Sequence, residues 1–73
     1  MEFHYKILVV EDDDSLRCFI NGMLEKNGYD VINADTGSDA EILASSHCPD
    51  LILLDLGLPD KDGMEVLSNI RKW

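Results

Sequence analysis

Two short runs, Ile7-Leu8-Val9-Val10 and Leu51-Ile52-Leu53-Leu54, are apolar at every position, and each is followed by a carboxylate, Glu11 after the first and Asp55 after the second. A strand with one wet face alternates apolar and polar residues. A strand without alternation is buried on both faces, as in parallel sheets covered by helices. The segments between the runs suit that architecture. Leu16, Phe19, Ile20, Met23 and Leu24 recur at i, i+3, i+4, i+7 and i+8, one helical stripe, with Asp14 or Ser15 available as its cap and Gly28 as its end. Residues 29 to 34 read as a second strand. Thr36 with Asp39 three residues on starts a second helix whose apolar face, Ala40, Leu43 and Ala44, is modest. Pro49 breaks the chain before the third strand, a turn-rich loop spans 57–63, and Met64, Val66, Leu67 and Ile70 give a third helical face. The expected elements are strands at 5–10, 30–34 and 51–55 and helices at 15–27, 37–46 and 63–73, all within one domain, 1–73. This alternation specifies an α/β fold with a parallel sheet and right-handed crossovers.

Length limits that fold. Each strand, helix and pair of connections takes roughly 25 residues, so 73 residues hold three units. Three parallel strands are few, and a third strand apolar on both sides is left partly uncovered, so the chain reads as the first part of a larger domain. A chain of this size buries only about 60% of its unfolded surface. The composition still favours folding, because 45% of residues are hydrophobic and fall in punctuated runs. A net charge of −9, from 15 acidic and 6 basic residues, argues against binding nucleic acid through its phosphates and points to cations, metals or basic surfaces. Cys18 and Cys48 are too few and too far apart for a metal clip or a disulfide framework, which suits reduced thiols. Leu51 to Leu54, an apolar stretch as long as any in the chain, is far short of a membrane span, and residues 1–6 lack signal-peptide character. A cytoplasmic location is expected, without membrane contact.

In open parallel sheets ligands bind beyond the carboxyl ends of the strands, where Glu11, Asp12 and Asp55 fall. If strands one and three are neighbours, three carboxylates converge. Like charges so close raise one another's pKa values, and the arrangement calls for a proton or a divalent cation. Mg2+ suits it, a hard ion commonly held by one or two carboxylates together with a substrate phosphate. Glu11 to Asp14 could instead be a solvated turn with a helix cap. That reading does not require both acidic ends to lie at the functional edge.

Ile7 to Asp13 followed by an amphipathic helix, and Pro49 to Gly63 with Asp55-Leu56-Gly57-Leu58-Pro59-Asp60, resemble the receiver domain of two-component response regulators over the whole chain, within the OmpR-like subfamily. The resemblance implies the N-terminal part of a flavodoxin-like (CheY-like) doubly wound sheet with strand order 2-1-3. It implies that Asp55 accepts a phosphoryl group from a histidine kinase, that Asp12 binds Mg2+ directly and Glu11 through water, and that Gly57 contributes its backbone carbonyl. A complete receiver also has a Ser or Thr after strand four and a Lys after strand five. Those positions fall beyond residue 73, and Thr36 and Lys61 cannot stand in for them. Weak phosphoryl transfer is expected of these residues alone, and control of transcription only of the longer protein.

Other signals have plainer readings. Asp60-Lys61-Asp62-Gly63 is a turn rather than a calcium loop, since its Gly comes two positions early and Arg71 stands where Glu is needed. Cys18 falls opposite the first helical stripe, beside Asn21 and Glu25, as an exposed thiol. Cys48 belongs to a loop, His4 and His47 to the surface, and Asp13 to solvent or the first helical turn. A non-catalytic interaction module is the alternative function. An aspartyl phosphatase is weaker, because a second Asp is wanted where Gly57 stands. With strand three at the sheet edge, Leu51 to Leu54 offer an unpaired template for self-association.

Overall fold

The computed structural model describes residues 4–55 and 57–72. Trp73, expected to end the third helix with its indole half exposed, lies outside them. The elements are β1 (Lys6–Val10), α1 (Asp14–Lys26), β2 (Asp30–Ala34), α2 (Gly37–His47), β3 (Leu51–Leu54) and α3 (Gly63–Ile70). All three strands are parallel, in the order β2-β1-β3. The central place falls to β1, whose Ile7, Leu8, Val9 and Val10 are at most 3% exposed.

Register divides the side chains between two faces. Val10 lies opposite Ala34 and Leu54, and Leu8 opposite Ile32 and Ile52, so these six share a face. They pack with Ala40 and Ala44 of α2, Leu58 of the following loop and Val66 of α3, which together form the core. Ile7 and Val9 point the other way with Leu51 and Leu53, toward the side taken by α1. At the open edge Leu51 and Leu53 of β3 remain 53% and 37% exposed.

Helix ends follow local chemistry, with two departures from expectation. The cap of α1 is Asp13, not Asp14 or Ser15: Asp13 is the last extended residue, and its Oδ1 accepts from the Leu16 N–H at 2.9 Å. Gly28 takes φ +86° just past the helix, where an L side chain would be strained. Thr36 caps α2 as expected, its hydroxyl accepting from the Asp39 N–H at 3.1 Å. Cys48 forms the left-handed end of that helix, at φ 47°. Asp62 caps α3, which stops at Ile70 rather than running to residue 73.

The orientation of α1 also departs from its apolar stripe. None of its residues is buried; Arg17, Ile20, Asn21 and Leu24 are half-buried, while Leu16, Phe19 and Met23 are exposed. The inward face thus runs 17-20-21-24, rotated away from the stripe. Arg17 is drawn toward the end of β1 by a hydrogen bond to the Glu11 carbonyl, and the helix lies over β1 and β2. Asn21, expected on the outer side with Cys18, sits inward with a buried Oδ1 that has no partner among the described residues. Cys18 is exposed.

Candidate metal centre

Adjacent parallel strands end at the same edge, and here the ladder continues one rung past each strand. The Glu11 N–H donates to the Ala34 carbonyl at 3.1 Å and the Asp55 N–H to the Val10 carbonyl at 2.9 Å. Both carboxylate-bearing residues are therefore tied by a backbone bond to the neighbouring strand. Glu11, Asp12 and Asp55 each offer one carboxylate oxygen, and all three lie within 4.8 Å of one another. Asp12 is exposed, whereas Glu11 and Asp55 are half-buried.

Their charges are not equivalent. The Gly57 N–H, which donates to Asp55 Oδ1 at 3.0 Å, is the main reason the Asp55 carboxyl is held below its ordinary value. For Glu11 the Asp13 N–H pulls downward, donating to Oε2 at 3.2 Å, but desolvation and the carboxylates of Asp55 and Asp12 together push its pKa up. The two carboxyls are thus shifted in opposite directions, Glu11 upward and Asp55 downward.

A divalent ion relieves the same repulsion. Octahedral Mg2+ with bonds of about 2.0–2.1 Å sets neighbouring ligand oxygens about 2.9 Å apart and opposite ones about 4.2 Å apart. Three hard oxygens within 4.8 Å are close to that spacing, so the donor set fits the ion after small side-chain adjustments. Gly57 meets Asp55 through its N–H. A Cβ at position 57 would lie 3.7 Å from Asp55 Oδ1, an ordinary contact, so no steric demand for glycine exists there.

Residues excluded from the site by the sequence have other occupations. Thr36 caps α2, and Lys61 Nζ donates to Glu41 Oε2 at 2.9 Å. Asp60 and Asp62 cap helices rather than converging on a cation. His4 and His47 are exposed. Two residues near the site went unrecognised in the sequence. Arg17 donates through Nη1 to the Glu11 carbonyl at 3.0 Å and through Nη2 to Asp14 at 2.5 Å. Asp60 accepts the N–H groups of Gly37 at 2.7 Å and Ser38 at 3.0 Å, tying the loop after Asp55 to the start of α2. The signal for Arg17 was a lone cation within an acidic block; nothing local marked Asp60.

Parallel βα units with an acidic cluster at the strand ends define a class, and comparison with known proteins agrees. Residues 7–73 match the response regulator receiver domain, and the chain belongs to that family. Among curated relatives it is similar to the KDP operon transcriptional regulatory protein KdpE of Escherichia coli K12, 43% identical over 67 residues, which cover 92% of this chain and 30% of that protein. It is 46% identical, over 92% of this chain and 28% of the relative, to the alkaline phosphatase synthesis transcriptional regulatory protein PhoP of Bacillus subtilis 168. The BeF3-activated N-terminal receiver domain of Klebsiella pneumoniae RstA superposes with a TM-score of 0.87 at 40% identity, covering 93% of this chain and 59% of that one. The chemotaxis response regulator CheY4 of Vibrio cholerae gives a TM-score of 0.92 at 30% identity, covering 94% and 57%. The chain thus spans less than a third of these curated relatives. Receiver domains of response regulators are phospho-acceptors that bind Mg2+ at acidic residues and interact with histidine kinases. Among the described residues no helix is long and apolar enough to cross a membrane.

Proposed function

We propose that Asp55 is the phospho-acceptor of this receiver, with Glu11, Asp12, Asp55 and the Gly57 carbonyl as the groups that hold Mg2+. The observation that carries the reading is the meeting of Glu11, Asp12 and Asp55 at the carboxyl edge of the sheet. Asp55 attacks the phosphorus of a kinase phosphohistidine or a small phosphodonor; a carboxylate O–P bond forms as the N–P or O–P bond to the leaving group breaks. When bound, Mg2+ offsets the repulsion between the carboxylate and the incoming phosphoryl oxygens. The Gly57 N–H donates to Asp55 Oδ1 and favours its ionised form, and the backbone bond from Asp55 to Val10 ties its backbone to β1. The setting is a cytoplasmic phosphorelay, and control of transcription belongs to the longer protein.

Incubation with acetyl phosphate and Mg2+ followed by mass spectrometry tests the acceptor. Expected are an acyl phosphate at Asp55 and none in Asp55→Asn; wild-type labelling in Asp55→Asn moves the acceptor elsewhere. Tight beryllofluoride binding in the presence of Mg2+ separates a working acceptor from an interaction module. For these residues by themselves, the exposed Leu51 and Leu53 on edge strand β3 favour pairing with a second copy, visible as a dimer in sedimentation.

A further inference from the structure

Arg17 is one of only 6 basic residues, and it sits in the most acidic part of the chain with its side chain just 21% exposed. Its guanidinium reaches back over the first turn of α1 and bridges the Glu11 carbonyl and the Asp14 carboxylate. The Glu11 carbonyl belongs to the peptide unit that leads into Asp12. Fixing that oxygen fixes the plane of the peptide and, through it, the direction in which the Asp12 side chain leaves the backbone. The other restraints act elsewhere on this loop: the Glu11 N–H is bound to Ala34, the Asp13 side chain to Leu16, and the Asp13 N–H, on the far side of Asp12, to Glu11 Oε2. Only Arg17 grips the peptide between Glu11 and Asp12 among the contacts described.

Resting on the metal site proposed above, we infer that Arg17 is a positioning residue for Mg2+ binding, acting through the Glu11 carbonyl to aim Asp12. The idea has a distinctive sign. If Arg17 were only a nearby positive charge, its removal would strengthen binding of a divalent cation. If it orients the site, its removal weakens binding in spite of the more negative surroundings. Lysine separates the two further, because an ammonium keeps the charge but cannot span both acceptors as the forked guanidinium does.

The test is a calorimetric titration of Mg2+ alone into the wild type, Arg17→Met, Arg17→Lys and Asp12→Asn, with circular dichroism to establish that each is folded. The expected result is a loss of affinity of about tenfold in both Arg17 variants, the scale at which groups orienting metal ligands act. Arg17 variants that bind as tightly as the wild type, or more tightly, overturn the inference while the metal site stands. If Arg17→Met does not fold, Arg17→Lys decides by itself. A wild type that does not bind Mg2+, or Asp12→Asn binding undiminished, overturns the metal-site reading and this inference with it.

Discussion

Toward α2 and α3 the sheet presents Leu8, Val10 and Ala34 to Ala40, Ala44, Leu58 and Val66, all of them at most 8% exposed; toward α1 it meets a helix with no buried residue, whose Leu16, Phe19 and Met23 are 46%, 65% and 53% exposed. The helix with the longer apolar stripe is the less buried of the two. Small residues account for the close approach of α2. Gly37, Ala40 and Ala44 let α2 sit close on the sheet and on α3, where a Cβ on Gly37 would come within 2.8 Å of Val66 Cγ2. Polar bonds reinforce the approach, since Glu41 accepts from Lys61 at 2.9 Å and Asn69 at 3.1 Å, and Asp60 accepts two N–H groups of α2. Burial depends on how closely backbones can approach, and an apolar count along one helix does not measure that.

The comparison breaks most readily at its centre. Leu8→Ala is expected to cost about 2–5 kcal/mol, and Phe19→Ser, on the outer side of α1, to stay within about 0.5 kcal/mol, both read by urea denaturation. Comparable losses at the two positions would mean that α1 packs as tightly as α2. A matched pair of smaller changes sharpens the contrast. A methyl group added at Gly22 in α1 would meet nothing within 4 Å, so Gly22→Ala should stabilise by up to about 1 kcal/mol through helix propensity. Gly37→Ala should destabilise by about 1–3 kcal/mol, because the new methyl overlaps Val66 and Lys61. The same substitution then has opposite signs in the two helices, as melting curves would show.

The smallest effect concerns pH. The Gly37 and Ser38 N–H groups hold the Asp60 carboxyl below its ordinary 3.8, the Gly37 bond most strongly. A carboxylate lowered on folding stabilises above its unfolded pKa, and that contribution disappears as pH falls through the folded value. The stability gap between the wild type and Asp60→Asn should therefore be constant at neutral pH and close below about 3.8. Lys61 has the opposite dependence: raised mainly by its bond to Glu41, its share is complete below 10.5 and vanishes only as pH climbs through the folded value.

Much of this was legible along the chain. Doubly apolar strands specify a parallel sheet, and the strand-end rule brings Glu11, Asp12 and Asp55 together once β1 and β3 are neighbours. Helix ends were legible where they are local, as at Thr36 and Gly28. What could not be read is what depends on distant partners. Asp60 caps a helix 22 and 23 residues earlier, an interaction with no periodic signature. The rotation of α1 goes with a bond from Arg17 to a backbone carbonyl, a group every residue carries.

The extra rungs from Glu11 to Ala34 and from Asp55 to Val10 also have a kinetic consequence. Amide protons at those two positions are hydrogen-bonded into the sheet and are expected to exchange more slowly than those of the loops. Their exchange should track that of Leu8 and Val10 rather than that of the neighbouring loops. The backbone at Asp55 would then share the protection of the sheet rather than that of a loop.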